Sequence, residues 1–368
     1  MKIKNDYFRM GSRMCLSLLV LLLAGVVVFA TAGKGTEGES PVVPARKTVV
    51  TAAGATFPLP FYNAVFKAWW EREDSPVTYA GIGSDRGLKS FAARQIDFAG
   101  VDVMPAPEEM AKLPAETVVV PTCMGAVVLA YNLPEVPGLK LTGELVADIY
   151  LGNILKWNDT RIAALNPGVM LPDKEVYPVF RMDGSGTTYV FADYLSKVSA
   201  AWKEQMGRGT TLEFPRGVGA TGNPGVAGLV ERISGAIGYV GSEYAFAYGI
   251  PAAALQNAAG RFVQPSPASI TAAAASVDRA DGMITDSPEA EAYPISTFSW
   301  AMLYREQAYE GRTREEAAAT VAVLRWVLGD EAQGMAAAVQ FAPLPEAARK
   351  YALEELAKVV YNGKPIGK

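Results

Sequence analysis

Three times along the chain, a short β-branched strand runs into a turn of glycine and hydroxyl residues just where a helical pattern begins. The turns are Gly54-Ala55-Thr56-Phe57, Gly83-Ser84-Asp85-Arg86-Gly87 and Gly184-Ser185-Gly186-Thr187-Thr188. Strands that alternate with helices in this way predict an α/β fold. The segment "TVVVPTCMGAVVLAYNLP" is apolar throughout, as are strands in a sheet covered on both faces. Near the C-terminus, "TREEAAATVAVLRWVLGDEAQGMAAAV" predicts one long helix.

Each of these turns is suited to an anion. The first backbone N–H groups of a helix have no partner within it, and the helix dipole favours negative charge at that end. Glycine allows close approach to the backbone, and serine or threonine adds a hydroxyl donor. Because such turns converge on a crevice at the carboxyl ends of the strands, we expect them to lie close together. Simple helix capping is the alternative for Thr56 or Ser84 taken alone.

The stretch from Arg181 to Thr188, "RMDGSGTT", is the most specific of the three. Arg181 offers a planar fork of donors that matches an oxyanion. Asp183 follows two residues later, so on a strand it points to the same side and could hold the fork in place. The alternative interpretation is a surface ion pair beside a capped helix.

Asp102 ends a third strand, "IDFAGVD", and a carboxylate beside an anion site needs an explanation. Monohydrogen phosphate carries a P–OH proton, and an ionised carboxylate is its natural acceptor. Sulfate has no proton at neutral pH and would leave the two negative groups facing each other. An unmatched buried polar group costs about 1–3 kcal/mol, and a charge costs more. An anion site that includes Asp102 therefore favours phosphate over sulfate. The alternative is that Asp102 is a solvated loop residue with no role in binding.

Several classes of chemistry are excluded by composition. The sequence has no histidine, so Ser-His-Asp and Cys-His catalysis and His-ligated metals are absent. Its two cysteines, Cys15 and Cys123, make neither a disulfide framework nor a cysteine-rich metal site in the mature chain. "GIGSDRG" is one residue away from a dinucleotide fingerprint but lacks a convincing acidic residue at the ribose position, and no P-loop ending is present. We expect no cofactor and no metal.

The N-terminus has the pattern of a secretory signal. Four basic residues precede the apolar run "LSLLVLLLAGVVVFA", and small residues follow it, so residues 1–32 are predicted to be a signal peptide. The run is about fifteen residues, which is short for a membrane span, although an uncleaved anchor is the alternative. Residues 33–47, rich in glycine and proline, are predicted to be a flexible leader. The formal net charge is −4, so no nucleic-acid partner is expected.

Six segments in the same order resemble the periplasmic phosphate-binding proteins of bacterial phosphate ABC transporters. They are "AGATFP", "GIGS", "DFAGVD", "YLGNILKWND", "RMDGSGTTYVFADYLSKV" and "SGAIGYV". The resemblance implies a two-lobed, hinged fold with the anion between the lobes. It implies one lobe from residues 48–122 and 293–368 and another from residues 123–292. It places these residues around the phosphate: Thr56, Phe57, Ser84, Asp102, Arg181, Ser185, Gly186 and Thr187, with Asp183 supporting Arg181.

The resemblance implies an exported, monomeric, non-enzymatic protein that binds inorganic phosphate and delivers it to the membrane subunits of an ABC importer. The chain departs from the family pattern after Ser84, where small residues are usual and Asp85 and Arg86 stand here. Three alternatives remain open at this point. They are a phosphatase with Ser185 as nucleophile, a binding protein for another oxyanion such as arsenate, and an anchored surface protein with a host or cell-wall partner.

Overall fold

The structure, a computed structural model, describes residues 48–275, 277 and 280–366. The predicted signal peptide and leader lie outside these residues. Within them, no helix is both long and apolar enough to cross a membrane.

The described chain alternates strands and helices. The strands are β1 Val50–Gly54, β2 Val77–Gly81, β3 Phe98–Val101, β4 Thr117–Tyr131, β5 Lys140–Leu141, β6 Tyr177–Arg181, β7 Val218–Ala220, β8 Ala236–Gly241, β9 Ala254–Gln256, β10 Phe262–Val263, β11 Ser296–Tyr304, β12 Val360–Tyr361 and β13 Lys364–Pro365. The helices are α1 Leu59–Glu73, α2 Ser84–Ala92, α3 Pro107–Met110, α4 Gly143–Leu151, α5 Thr160–Leu165, α6 Gly186–Val198, α7 Ala200–Gln205, α8 Gly222–Arg232, α9 Ser242–Ala247, α10 Pro267–Ala273, α11 Arg314–Val327, α12 Asp330–Gly334 and α13 Glu346–Leu356, with a 3₁₀ turn at Ala336–Val339.

Eight strands form one sheet in the order β2-β1-β3-β11-β4-β8-β6-β7. Strands β1, β2 and β3 are mutually parallel and run with β4, because β11 lies antiparallel between β3 and β4. Strands β6, β7 and β8 are mutually parallel and run against β4. The first group connects to the first part of β4 through β11. Strand β8 pairs with the last five residues of β4, Val127–Tyr131. The carboxyl ends of both groups therefore point toward the middle of β4.

The pairing of β4 with β11 is irregular at one place. Ser299 pairs with Cys123, but the next residue, Trp300, pairs with Pro121, so Thr122 is an extra residue on β4. The Thr122 hydroxyl donates to the Ser299 carbonyl at 3.0 Å. This is the two-against-one arrangement of a β-bulge, which bends a strand and re-aims its side chains.

Most of the predicted elements are confirmed. The segment 59–73, which follows the first glycine turn, is helical from end to end, as the strand–turn–helix pattern predicts, and the apolar segment around residues 117–131 is a single strand of 15 residues. The prediction of one long helix near the C-terminus is wrong, because the helix ends at Val327 and a second, short one begins at Asp330. Gly329 between them has an extended backbone (φ −74°, ψ 159°), and glycine is a poor helix former.

Candidate anion-binding site

The residues predicted to surround an anion are brought together by the fold. They lie at or just after the carboxyl ends of β1, β2, β3 and β6, which all point toward the middle of β4. All eight are buried: Thr56, Phe57, Ser84, Asp102, Arg181, Ser185, Gly186 and Thr187. The side chains that would line the site are therefore shielded from solvent.

The first turn joins β1 to α1. Gly54 has φ 147°, and a Cβ there would lie 2.1 Å from the carbonyl oxygen of Gly100, so only glycine fits between these strands. The Thr56 carbonyl accepts a hydrogen bond from the Tyr244 hydroxyl at 2.5 Å. The Phe57 ring packs on Gly125 of β4, where a Cβ would lie 2.5 Å from the ring. The turn is therefore fixed against both halves of the sheet.

The second and third turns meet directly. The N–H of Gly186, the first residue of α6, donates to Ser84 Oγ at 3.1 Å. Ser84 itself is the first residue of α2, after Gly83 in a left-handed conformation (φ 93°). A Cβ on Gly186 would lie 2.7 Å from the Asp102 Cβ, so the glycine is what permits this approach.

Arg181 and Asp183 form the buried ion pair expected from their spacing. Nε donates to Asp183 Oδ1 at 2.7 Å, and Nη2 donates to Oδ2 at 2.5 Å. The Gly222 N–H also donates to Asp183, at 3.0 Å. Burial would raise the pKa of Asp183, but the hydrogen bonds and charge of Arg181 and the Gly222 N–H outweigh it and hold this pKa below its ordinary value. The surface ion pair considered from the sequence is thus wrong, since the Arg181 side chain is 1% exposed.

Asp102 is 1% exposed and accepts a hydrogen bond from Ser299 Oγ at 2.9 Å. Burial raises its pKa to about 7, and the Ser299 hydrogen bond and the positive charge of Arg181 lower it only in part. Asp102 is therefore not a solvated loop residue. It is a carboxyl group that is largely ionised only above neutral pH.

Ser185 is the N-cap of α6, and its hydroxyl accepts from the Thr188 N–H at 3.2 Å. Thr188 in turn shares a hydrogen bond of 2.9 Å with the Tyr239 hydroxyl, which accepts from the Arg181 N–H at 3.0 Å. Ser185 thus satisfies one donor of the first turn, and the Gly186 N–H donates across the crevice to Ser84 Oγ.

Four residues of the site were not singled out from the sequence: Asn223, Tyr239, Tyr244 and Ser299. Asn223 had a detectable signal, because "GATGNPG" is a fourth strand–glycine–helix turn, between β7 and α8. The other three lie within strands or short helices, and their hydroxyls reach the site only through the sheet pairing. The sequence pattern held no signal for them.

Glu243 is a further buried carboxyl group near the site. It is 4% exposed, and neither of its oxygens has a hydrogen-bond partner among the described residues. Burial raises its pKa well above the ordinary value, and the charge of Asp102 raises it further.

The departure from the family pattern at Asp85 and Arg86 has a structural outcome. Asp85 Oδ2 accepts from the Thr210 hydroxyl at 3.1 Å, and a Cβ on Gly184 would lie 2.0 Å from the same oxygen. Asp85 is thus packed against the turn that carries Ser185. Arg86 is exposed. The first-turn aspartate joins the two sides of the crevice, and the arginine faces outward.

Chemically, the site holds one fixed cation, several hydroxyl and backbone donors, and one carboxyl acceptor. In the part of the chain that the structure describes, no group of three or more cysteine, aspartate or glutamate side chains could hold a metal ion. Such a set can bind an oxyanion that still carries a proton. The sequence has no histidine that could serve as a general base for Ser185.

Two groups of parallel strands that face a shared crevice, with helix N-termini directed into it, define a protein of the two-lobed solute-binding class. Residues 35–331 match the PBP superfamily domain. The chain is 38% identical to the phosphate-binding protein PstS of Xylella fastidiosa strain 9a5c, over 85% of this chain and 87% of the relative. It is also 38% identical to PstS of Pasteurella multocida, over 89% and 92%. The chain therefore belongs to the PstS family of phosphate-binding proteins.

Solved structures agree on the fold. A high-affinity periplasmic phosphate-binding protein bound with phosphate superposes with a TM-score of 0.66, at 20% identity, over 82% of this chain and 92% of that one. A phosphate ABC transporter substrate-binding protein from Clostridium perfringens, described as putative and also with bound phosphate, gives a TM-score of 0.60 at 20% identity, over 81% and 100%.

Proposed function

We propose that this protein binds inorganic phosphate in the crevice between the two groups of parallel strands and delivers it to an ABC phosphate importer. The observation that carries the proposal is that Arg181 and Asp102 are both buried in one site. A cation and a proton acceptor together match a singly protonated tetrahedral oxyanion. The names of the relatives support the same ligand. They also support a binding role rather than an enzymatic one.

Each site residue has a part in this proposal. Arg181 donates from the side of its fork that Asp183 does not occupy. The hydroxyls of Thr56, Ser84, Ser185 and Thr187 donate to phosphate oxygens. The backbone N–H groups of Phe57 and Thr187 donate from the positive ends of their helices, and the Gly186 N–H, which donates to Ser84 Oγ in this structure, turns to the anion on binding. Asp102 accepts the P–OH proton.

The arrangement of the sheet supports a division into two lobes. We assign residues 48–122 and 293–368 to one lobe and residues 123–292 to the other. The boundaries fall within or just before the long strands β4 and β11, which pair with each other near the middle of the sheet. Closure of the lobes around the ligand is the functional motion. The direct hydrogen bond between Gly186 and Ser84 joins the two lobes, as expected of a closed form.

We further propose that the protein is exported with cleavage near residue 32 and acts in the periplasm as a monomer. The basic residues and apolar run at the N-terminus support export, and the periplasmic placement of the matched phosphate-binding protein supports the destination. N-terminal sequencing of the exported protein tests the cleavage, and an exported protein that still carries residues 1–32 would contradict it.

Titration calorimetry with phosphate, arsenate and sulfate tests the ligand. We expect tight 1:1 binding of phosphate, competition by arsenate, which also carries a proton, and at least a hundredfold weaker binding of sulfate at pH 8. Equal affinity for sulfate would contradict the role of Asp102. No binding of any of the three would contradict the proposed function. A chromogenic phosphate ester assay, expected to show no turnover, tests the phosphatase alternative.

A further inference from the structure

Asn223 is buried at the start of α8, between the two sides of the crevice, with 0% of its surface exposed. Its backbone N–H and its side-chain amide hydrogen-bond to the hydroxyls of two predicted phosphate ligands, Thr56 and Thr187. We propose that Asn223 is a positioning residue that turns the hydroxyl protons of both threonines toward the bound anion. This inference rests on the proposed function and adds a residue to it.

The hydrogen bonds that the Thr56 hydroxyl accepts fix the direction in which it can donate its proton. A hydroxyl has one proton to donate and two lone pairs that accept. Thr56 Oγ1 accepts from the Asn223 N–H at 3.1 Å and from Asn223 Nδ2 at 2.9 Å. Both lone pairs are occupied, so the remaining polar capacity of this oxygen is its own O–H. The group is a donor only, which is what a phosphate oxygen requires.

Thr187 is held by the same amide. Asn223 Nδ2 donates to Thr187 Oγ1 at 3.2 Å. An amide NH₂ group has two protons, and one for each threonine uses both of them. One side chain therefore sets the donor direction of a hydroxyl on each side of the crevice.

The orientation of the amide is itself fixed. Its oxygen, Oδ1, accepts from the Gly241 N–H at 3.1 Å. Because a backbone N–H can only donate, the atom facing it must be the oxygen, and the NH₂ group must face the threonines. The usual ambiguity between the two ends of an asparagine amide does not arise here.

The consequence is a set of donors that is arranged before the ligand arrives. Donors aimed in advance do not have to reorient on binding, so less of the interaction energy is lost. A carboxylate at position 223 would do the opposite. It would accept the threonine protons and present hydroxyl lone pairs to the anion.

The test compares Asn223→Ala with Asn223→Asp by phosphate titration at pH 5 and pH 8, each as a ratio to wild type at the same pH. We expect Asn223→Ala to lose about tenfold in affinity at both pH values, since two donors lose their orientation. We expect Asn223→Asp to lose more than a hundredfold at pH 8 and to regain at least tenfold at pH 5, where a protonated carboxyl group can again donate. Asn63→Asp, an exposed site on α1, is the control for added charge.

A second arm tests the mechanism through the threonines. In a Thr56→Val/Thr187→Val background, Asn223→Ala should change phosphate affinity by less than twofold, because no hydroxyls remain to be aimed. A full tenfold loss in that background, or an Asn223→Asp profile that parallels Asn223→Ala, would overturn the proposal. If Asn223→Asp does not fold, as judged by circular dichroism, the background arm still decides. Wild-type protein that binds no phosphate would instead overturn the proposed function.

Discussion

Gly186 and Ser84 are 102 residues apart in the chain and are joined by a hydrogen bond from the Gly186 N–H to Ser84 Oγ. Each residue begins a helix, and each helix follows a strand of a different half of the sheet. Two helix N-termini, which carry partial positive charge, are thus held close together beside the carboxyl groups of Asp85 and Asp102. An anion that binds between the two N-termini is attracted by both, so we expect the liganded protein to favour the arrangement in which they lie close together.

The first prediction concerns Gly186. A Cβ at this position would lie 2.7 Å from the Asp102 Cβ and 3.0 Å from Ser84 Oγ, which are part of the opposite wall. We expect Gly186→Ala to prevent full closure and to weaken phosphate binding at least tenfold, measured by calorimetry. Gly334→Ala is the control, because a Cβ there meets nothing within 4 Å. Unchanged affinity in Gly186→Ala would show that the walls do not close at this point.

The second prediction concerns the charged anchor. Arg181→Ala should weaken phosphate binding by about 1.5–3 kcal/mol, the range for hydrogen bonds to charged groups. Arg181→Lys should recover only part of this loss, because an ammonium cannot bind both Asp183 and the ligand through a rigid fork. Calorimetry on the two variants gives the comparison. A lysine variant as good as wild type would mean that charge alone matters.

The third prediction concerns Asp102 and pH. Its pKa is raised to about 7, so below that pH it carries a proton and can donate to sulfate, and above it the carboxylate can only accept. Sulfate affinity of the wild type should therefore increase as pH falls from 8 to 6, and the phosphate-to-sulfate ratio should narrow. Asp102→Asn, whose amide donates at every pH, should narrow the ratio at pH 8 and bind sulfate with little pH dependence. If the variant had the same phosphate-to-sulfate affinity ratio at pH 8 as the wild type, the proton-acceptor role would be contradicted.

The fourth prediction concerns the contact between Asp85 and Thr210. It links helix α2 to the loop that follows α7, across the mouth of the crevice. Thr210→Val should raise the phosphate dissociation rate about threefold to tenfold, which corresponds to the loss of one partly exposed hydrogen bond. Stopped-flow displacement measures this rate. Thr210→Ser keeps the hydroxyl and should behave as wild type. Equal dissociation rates in all three proteins would show that the hydrogen bond to Asp85 does not help to hold the crevice closed.

The fifth prediction concerns stability. The pKa of Glu243 is raised in the folded protein, so this residue's contribution to stability is complete below its unfolded pKa and is lost as pH rises toward its folded pKa. Glu243→Gln should remove this loss. The melting temperature of the variant should match that of the wild type at acid pH, where both forms are neutral, and exceed it at pH 8. A difference in melting temperature that does not grow with pH would contradict the assignment.

The sequence was informative wherever function depends on local geometry. Arg181, Asp183 and Ser185 lie within five consecutive residues, so strand and helix periodicity alone predicts that they share a site. The same holds for the turns at Thr56 and Ser84. The convergence of the turns at Thr56 and Ser84 was also predictable, because carboxyl ends of parallel strands meet at one edge of a sheet. The turn at Ser185 follows a strand that runs the opposite way, so its approach depends on how β4 joins the two groups.

The remainder depended on pairing across the sheet. Ser299 reaches Asp102 only because β11 returns between β3 and β4, and Asn223 reaches Thr56 only because the two halves of the sheet face each other. The break in the C-terminal helix at Gly329 was missed for a different reason. A single glycine is tolerated within many helices, so the periodicity on either side outweighed it.

The bulge at Thr122 places two properties of this protein under the control of one short piece of backbone. The extra residue interrupts the regular ladder between β4 and β11 directly beside Ser299, whose hydroxyl donates to Asp102. A change of shape at that point necessarily moves the donor that tunes the acidity of the ligand's proton acceptor. With the lobe boundary proposed above, which falls at residue 122, opening the lobes would displace this donor, so that recognition and mechanical response would be a single adjustment. Evolution could not easily change one of them at this bulge without changing the other.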